Sequence, residues 1–167
     1  MGLLSGLWII LSTKIGVMAW VGFMGCTSYY ATGDHFVKGW KKSVICNISG
    51  IFWAMLAIEV SKIIPIHESV AVMTAIISFF IIAQAKIPFL AFIPGTFVGC
   101  ASTFGMNGEW KATIIALLMG SVLGITSDVA GILIKKLTER IGERQYQKFY
   151  KKFKATKLIS VISYFKM

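Results

Sequence analysis

Long apolar runs dominate the chain, and they are separated by short polar joints. No charged residue falls between Ile15 and Ala31, between Ser69 and Ala85, or between Ile87 and Gly108. Each run is near the length that crosses about 30 Å of hydrocarbon as a helix, at 1.5 Å per residue. The pattern predicts six segments: Leu3–Thr13, Gly16–Ala31, Ser43–Val60, Ser69–Ala85, Ile87–Phe104 and Ala112–Ile134. The first is too short to cross alone as a straight helix, so five spans plus a re-entrant piece stand beside six spans as the alternative. The expected fold is therefore all-α and membrane-integral, with a transmembrane domain over residues 1–136 and a separate tail over 137–167.

Composition agrees with this pattern. Of 167 residues 56% are hydrophobic and 14% charged, too little charge to cover a soluble domain of this size. The N-terminus, Met1-Gly2-Leu3-Leu4, lacks the basic start of a cleaved signal, and its apolar character runs past any cleavage point. Cys26, Cys46 and Cys100 stand singly in apolar segments, without metal-ligand spacing, and read as small packing residues.

Charge sets the expected orientation. Residues Lys135 to Met167 hold ten Lys or Arg against Glu139 and Glu143, which is most of the net charge of +10. Basic flanks favour the cytoplasmic side, so the tail is expected inside. Six spans then place both termini inside, together with Lys38, Lys41 and Lys42. The outside joints carry only Lys14, Lys62 with Glu68, and Lys111 with Glu109. In the tail, Ile141, Tyr146, Phe149, Tyr150 and Phe153 recur among Lys148, Lys151, Lys152 and Lys154. That spacing predicts a basic amphipathic helix lying on anionic lipid, and the same bias accounts for the charge without nucleic acid.

The two halves of the chain resemble each other. Phe23-Met24-Gly25-Cys26-Thr27-Ser28 aligns with Phe97-Val98-Gly99-Cys100-Ala101-Ser102. A polar joint follows in each, then Trp40-Lys41 and Trp110-Lys111, then Gly50 and Gly120 ten positions on. The units run from about residue 3 to 62 and from about 70 to 136. Three segments per unit is an odd number, so the second unit is expected upside down relative to the first, the inverted-repeat plan of many channels and transporters.

Candidate chemistry is sparse. Ile93-Pro94-Gly95-Thr96 is expected to break the fifth segment inside the membrane, because proline removes a backbone donor and glycine weakens a helix. The matching stretch is Trp20-Val21-Gly22-Phe23. These segments are expected to meet and line a pathway through Trp20, Phe23, Gly25, Thr27, Ser28, Pro94, Thr96, Phe97, Gly99, Ser102 and Thr103. A proline kink with glycines for close helix packing is the competing reading. Asp128 is the one acid deep in an apolar segment. It reads as a cation or proton site or as a residue one turn from the cytoplasmic face, the second being favoured. No catalytic set, cofactor site or metal site is expected: His35 and His67 lie in joints, and no Ser-His-Asp or zinc spacing occurs.

Several of these motifs resemble the small bacterial inner-membrane proteins called YcdZ-like. They are Ala19-Trp20-Val21-Gly22-Phe23-Met24-Gly25-Cys26-Thr27, Phe52-Trp53-Ala54-Met55, Gln84-Ala85-Lys86, Ile93-Pro94-Gly95-Thr96-Phe97 and Gly108-Glu109-Trp110-Lys111. The resemblance reaches to about Lys136 and leaves out the basic tail. It implies a bacterial inner-membrane location and this architecture, and no activity. The functional expectation is a non-enzymatic channel or facilitator for a small neutral or weakly acidic solute, in contact with lipid and assembled as a homo-oligomer. A non-transporting subunit or scaffold whose tail binds a cytoplasmic partner or anionic lipid is the alternative.

Overall fold

The computed structural model describes residues 2–64 and 68–164, and the side chains at 144 and from 146 onward lie outside that description. Among the described residues six α-helices form: α1 (Gly2–Ile15), α2 (Ala19–Ala31), α3 (Phe36–Ile63), α4 (Ser69–Ala83), α5 (Ile93–Gly105) and α6 (Trp110–Tyr164). Two single 3-10 turns, Gln84–Lys86 and Pro88–Leu90, lie between α4 and α5. There is no strand among the described residues. The chain divides into two compact units, Met1–Val129 and Ala130–Met167. The second is helical to Tyr164. The tail lysines Lys148, Lys151, Lys152 and Lys154 have side chains outside the described set, as does the whole of His67.

Among the described residues, three helical stretches are long and apolar enough to cross a membrane: Phe36–Ile63, Ser69–Lys86 and Trp110–Glu143. The chain is an α-helical membrane protein. The other helices are shorter than the six-segment pattern requires: α1 has 14 residues, and α2 and α5 have 13 each. At 1.5 Å per residue, 13 residues reach about 20 Å, well short of the hydrocarbon thickness.

Three helix starts differ from the sequence pattern. The segment expected from Ser43 is already helix from Phe36, because the helix runs through the charged turns of Lys38, Lys41 and Lys42 that an apolar run excludes. The other two differ for local reasons. The segment expected from Gly16 begins as helix only at Ala19, because Gly16 adopts φ +71° and turns the chain out of α1. The segment expected from Ile87 begins as α-helix only at Ile93, and the break lies upstream of Pro94. Pro94 sits in the first turn of α5, where its missing N–H has no helical acceptor to lose and its fixed φ suits the start. Ile93-Pro94-Gly95-Thr96 thus opens a helix and does not interrupt one.

The first unit packs around α3. Ala54 and Ala57 of α3, Met73, Ile77 and Ile81 of α4, and Cys100 of α5 make one core cluster. Val21 of α2, Ile51 of α3, and Ala116 and Leu117 of α6 make another. Trp8 of α1 is 3% exposed, lies over Gly22 and donates from Nε1 to the carbonyl of Ala19 at 3.0 Å, which fastens α1 to α2.

Two helix crossings use the same device. Where α3 crosses α5, Gly50 lies against the carbonyl of Thr96 and Gly99 against the backbone of Asn47. Where α6 crosses α2, Gly120 lies against the carbonyl of Gly22 and Gly25 against the backbone of Leu117. A Cβ at any of these four glycines would overlap main-chain atoms of the facing helix. Small residues let backbones approach closely, the usual route to helix association in lipid. The pair α3 and α6 runs antiparallel. Trp40, near the start of α3, donates from Nε1 to Ser121 Oγ at 2.9 Å. Trp110, at the start of α6, shares a groove with Ile51, Phe52 and Met55, further along α3.

Candidate functional site

Polar side chains in this apolar bundle mark the places with chemistry to examine, because an unpaired polar group there is costly. They gather in three clusters. At the joint between α4 and α5, Gln84 is buried. Its Oε1 accepts from Ser49 Oγ at 2.9 Å and Trp53 Nε1 at 2.8 Å, and its Nε2 donates to Thr96 Oγ1 at 2.8 Å. At about 0.5–1.5 kcal/mol net for each hydrogen bond, Gln84 ties the broken stretch before α5 to α3.

Between α2 and α3, Ser43 Oγ donates to Ser28 Oγ at 2.8 Å, and Ser28 Oγ donates to Asn47 Oδ1 at 2.8 Å. Asn47 Nδ2 closes the ring toward Ser43 Oγ at 3.5 Å, and all three residues are buried.

The third cluster joins α2, the connection to α3, and α6. Tyr29, 1% exposed, donates from its hydroxyl to Asp128 Oδ2 at 2.7 Å. The backbone N–H of Phe36 donates to the Tyr29 hydroxyl at 2.9 Å. His35 Nδ1 lies 3.1 Å from Asp128 Oδ1 and 3.0 Å from Oδ2. A carboxylate only accepts, so Nδ1 carries the proton here. The Asp128 side chain is 9% exposed and that of His35 is 68% exposed. Asp128, read from sequence as one turn from an end, is therefore enclosed and held from two other elements.

Beside that cluster, Asp34 pairs with Lys38 Nζ at 2.7 Å and Lys42 Nζ at 3.2 Å. Lys38, then Lys42, hold its carboxyl below the usual carboxylate range.

The residues expected to line a pathway separate into two groups. Gly25, Ser28, Thr96, Gly99, Ser102 and Thr103 are buried, and Phe23 is half-buried. Trp20, Thr27, Pro94 and Phe97 are exposed. Gly25 and Gly99 sit in the two crossings, each against the backbone of the facing helix. Ser102 Oγ is buried and has no hydrogen-bond partner among the described residues. Cys26, Cys46 and Cys100 are free and buried. Sequence reasoning assigned no role to Tyr29, Ser43 or Asn47, and it placed His35 in a joint without chemistry. A lone Asn or Tyr in an apolar run was the available signal, but His35 and Asp128 stand 93 residues apart and nothing local connects them.

Residues 1–132 match the family described as protein of unknown function (DUF1097). The chain belongs to this family. It is 34% identical over 147 residues to inner membrane protein YcdZ of Escherichia coli (strain K12), covering 87% of this chain and 90% of that one. It is 35% identical over 140 residues to inner membrane protein YcdZ of Salmonella typhimurium, covering 83% and 88%. It is 30% identical over 156 residues to the uncharacterized protein YahC of Escherichia coli (strain K12), covering 86% and 92%. No solved structure matches it. All three polar clusters lie inside the DUF1097 match.

Proposed function

We propose that this DUF1097 protein is a facilitator for a small neutral or weakly acidic solute in the bacterial inner membrane. The reading builds it from two inverted three-helix halves, with both termini cytoplasmic, and gives it no catalytic step. The observation that carries it is the buried hydroxyl of Ser102 on α5. An unmet buried polar group costs about 1–3 kcal/mol, and a passing polar solute or water supplies the missing partner. Ser102 sits on one of the three helices too short to cross, and Thr96 and Thr103 are buried on the same helix. Ser28 holds the matching place on α2, where Asn47 satisfies it. Asn47 stands where the second half has Leu117, so the two serines differ in what they lack.

The two-half reading is supported by the glycine crossings. Gly25 and Gly99 occupy matching positions, as do Gly50 and Gly120, and each faces the matching stretch of the other half. Homo-oligomerisation is part of the proposal because Trp20, Thr27 and Phe97 are exposed on the single chain. They line a conduit only where another copy faces them.

Flux into proteoliposomes tests the reading. Small amides, short-chain acids and ammonium are compared with empty vesicles. At least one is expected to enter several-fold faster, and Ser102→Val is expected to slow it while the protein still inserts. If every solute matches the empty vesicles, the facilitator reading is abandoned.

A non-transporting membrane subunit is the second reading, and one observation favours it. One cavity between α3 and α6, separate from the open groove at Trp110 and walled by Asn47, Ile51, Ile114 and Leu117, has a volume of about 10 Å³. That is no more than one water needs, and a rigid scaffold is packed in this way.

A further inference from the structure

We propose that Tyr29, His35 and Asp128 form a proton-binding site that latches the α2–α3 connection onto α6. The site does not depend on any conducted solute. Asp128 is enclosed, yet both of its oxygens face a histidine whose side chain is mostly exposed, beside the charged joint of Asp34 and Lys38. A proton can therefore reach the site from the aqueous side through His35, without crossing the bundle. Tyr29 transmits the state of the site to the main chain, because its hydroxyl donates to Asp128 and accepts from the Phe36 amide.

Phe36 is also the place where the backbone stores strain. Its φ is +54°, a region that bulky side chains rarely occupy and that persists only where neighbours hold it. The Tyr29 hydroxyl and the first turn of α3 are what hold it here. Releasing Asp128 removes the anchor of that hydroxyl, and the connection is then free to leave the strained conformation.

The charged and titratable groups brought to the site are few. Tyr29 comes from α2, with Tyr30 edge-on beside it at 5.3 Å between ring centroids, and His35 comes from the connection. Asp34, Lys38 and Lys42 lie on the same connection and the start of α3, and they are engaged with one another. Lys41 is exposed on α3, and along α6 the next charged residues in sequence are Lys135 and Lys136. When both ring nitrogens of His35 carry protons, the contact to Asp128 is an ion pair as well as a hydrogen bond. Histidine side chains change charge between about pH 5 and 8, so the latch is strongest at the acid end of that range and weakens as pH rises.

Amide hydrogen exchange at Phe36 reads the latch directly, on the full chain in lipid nanodiscs, with rates corrected for intrinsic pH dependence. Protection at Phe36 is expected to fall about fivefold or more between about pH 5.5 and 8.5. His35→Gln keeps hydrogen-bonding capacity but no titratable charge, so it is expected to make protection independent of pH. Asp128→Asn is expected to lower protection at the acid end to the wild-type alkaline level. Flat protection in the wild type overturns the proposal, as does a pH dependence that survives in His35→Gln. Should Asp128→Asn fail to fold, the His35→Gln comparison decides alone.

Discussion

The four crossing glycines are the residues whose role is least negotiable. A methyl at Gly50 meets the carbonyl of Thr96, and one at Gly120 meets the carbonyl of Gly22. These are backbone atoms, which cannot rotate aside as a side chain would. Gly120→Ala and Gly50→Ala are each expected to lose about 2 kcal/mol or more, since overpacking commonly costs about 1–3 kcal/mol and a whole helix must shift. Gly131 is the control. It lies in α6 with open space where its Cβ would go, so Gly131→Ala is expected to stabilise by roughly 0.5–1 kcal/mol through helix propensity alone. Thermal unfolding in a mild detergent measures all three. Equal melting points across the set contradict the crossing argument. The sequence places small residues at Gly50 and Gly120, ten positions after Trp40 and Trp110, but it cannot name their partners. Thr96 and Gly22 become neighbours only through the angle at which helices cross, a tertiary property that hydrophobic periodicity does not encode.

At the scale of elements, apolar runs in the sequence mark where helices occur, and they misplace the starts of α2, α3 and α5. Hydropathy scores composition, and residues 87–92 are as apolar as those that follow. The turn at Pro88 and the delayed start at Ile93 are set by proline geometry and by Gln84 bonding back to α3. Proline in the first turn has a clear consequence. Pro94 is exposed and makes no interior kink, so Pro94→Ala is expected to change stability by less than about 1 kcal/mol. Val98→Pro, one turn further on, removes a helical hydrogen bond and is expected to cost about 3 kcal/mol or more. Detergent melts and insertion yield separate these outcomes. A loss at Pro94 as large as that at Val98 would return the proline to the middle of a functioning helix. The polar clusters were partly legible for the same kind of reason. Asp128 stands out as an acid in an apolar run, whereas Tyr29 passes as one more aromatic until the fold sets it opposite that acid.

For the whole molecule, the question is how many times the chain crosses between the start of α3 and the start of α6. If only the three long helices cross, α3 and α4 carry the chain over and back. Lys41 and Lys111 then lie on the same side of the membrane. If α5 also carries the chain across, they lie on opposite sides. The antiparallel contacts between α3 and α6 favour the second outcome, since two spanning helices that run in opposite directions must begin on opposite faces. Charge favours it as well. Lys38, Lys41 and Lys42 outweigh Asp34 at one start, while Lys111 is balanced by Glu109 at the other. Single cysteines at Lys41 and Lys111 test it with a membrane-impermeant thiol reagent on intact cells and on inverted vesicles. Both positions are exposed, and the native Cys26, Cys46 and Cys100 are free but buried, so the background should be low. The Lys111 cysteine is expected to react in intact cells and the Lys41 cysteine only in inverted vesicles. Reaction of both from one face would mean that α5 does not complete a crossing. The two halves would then not be inverted copies, and the conduit proposed between α2 and α5 would lose its symmetry.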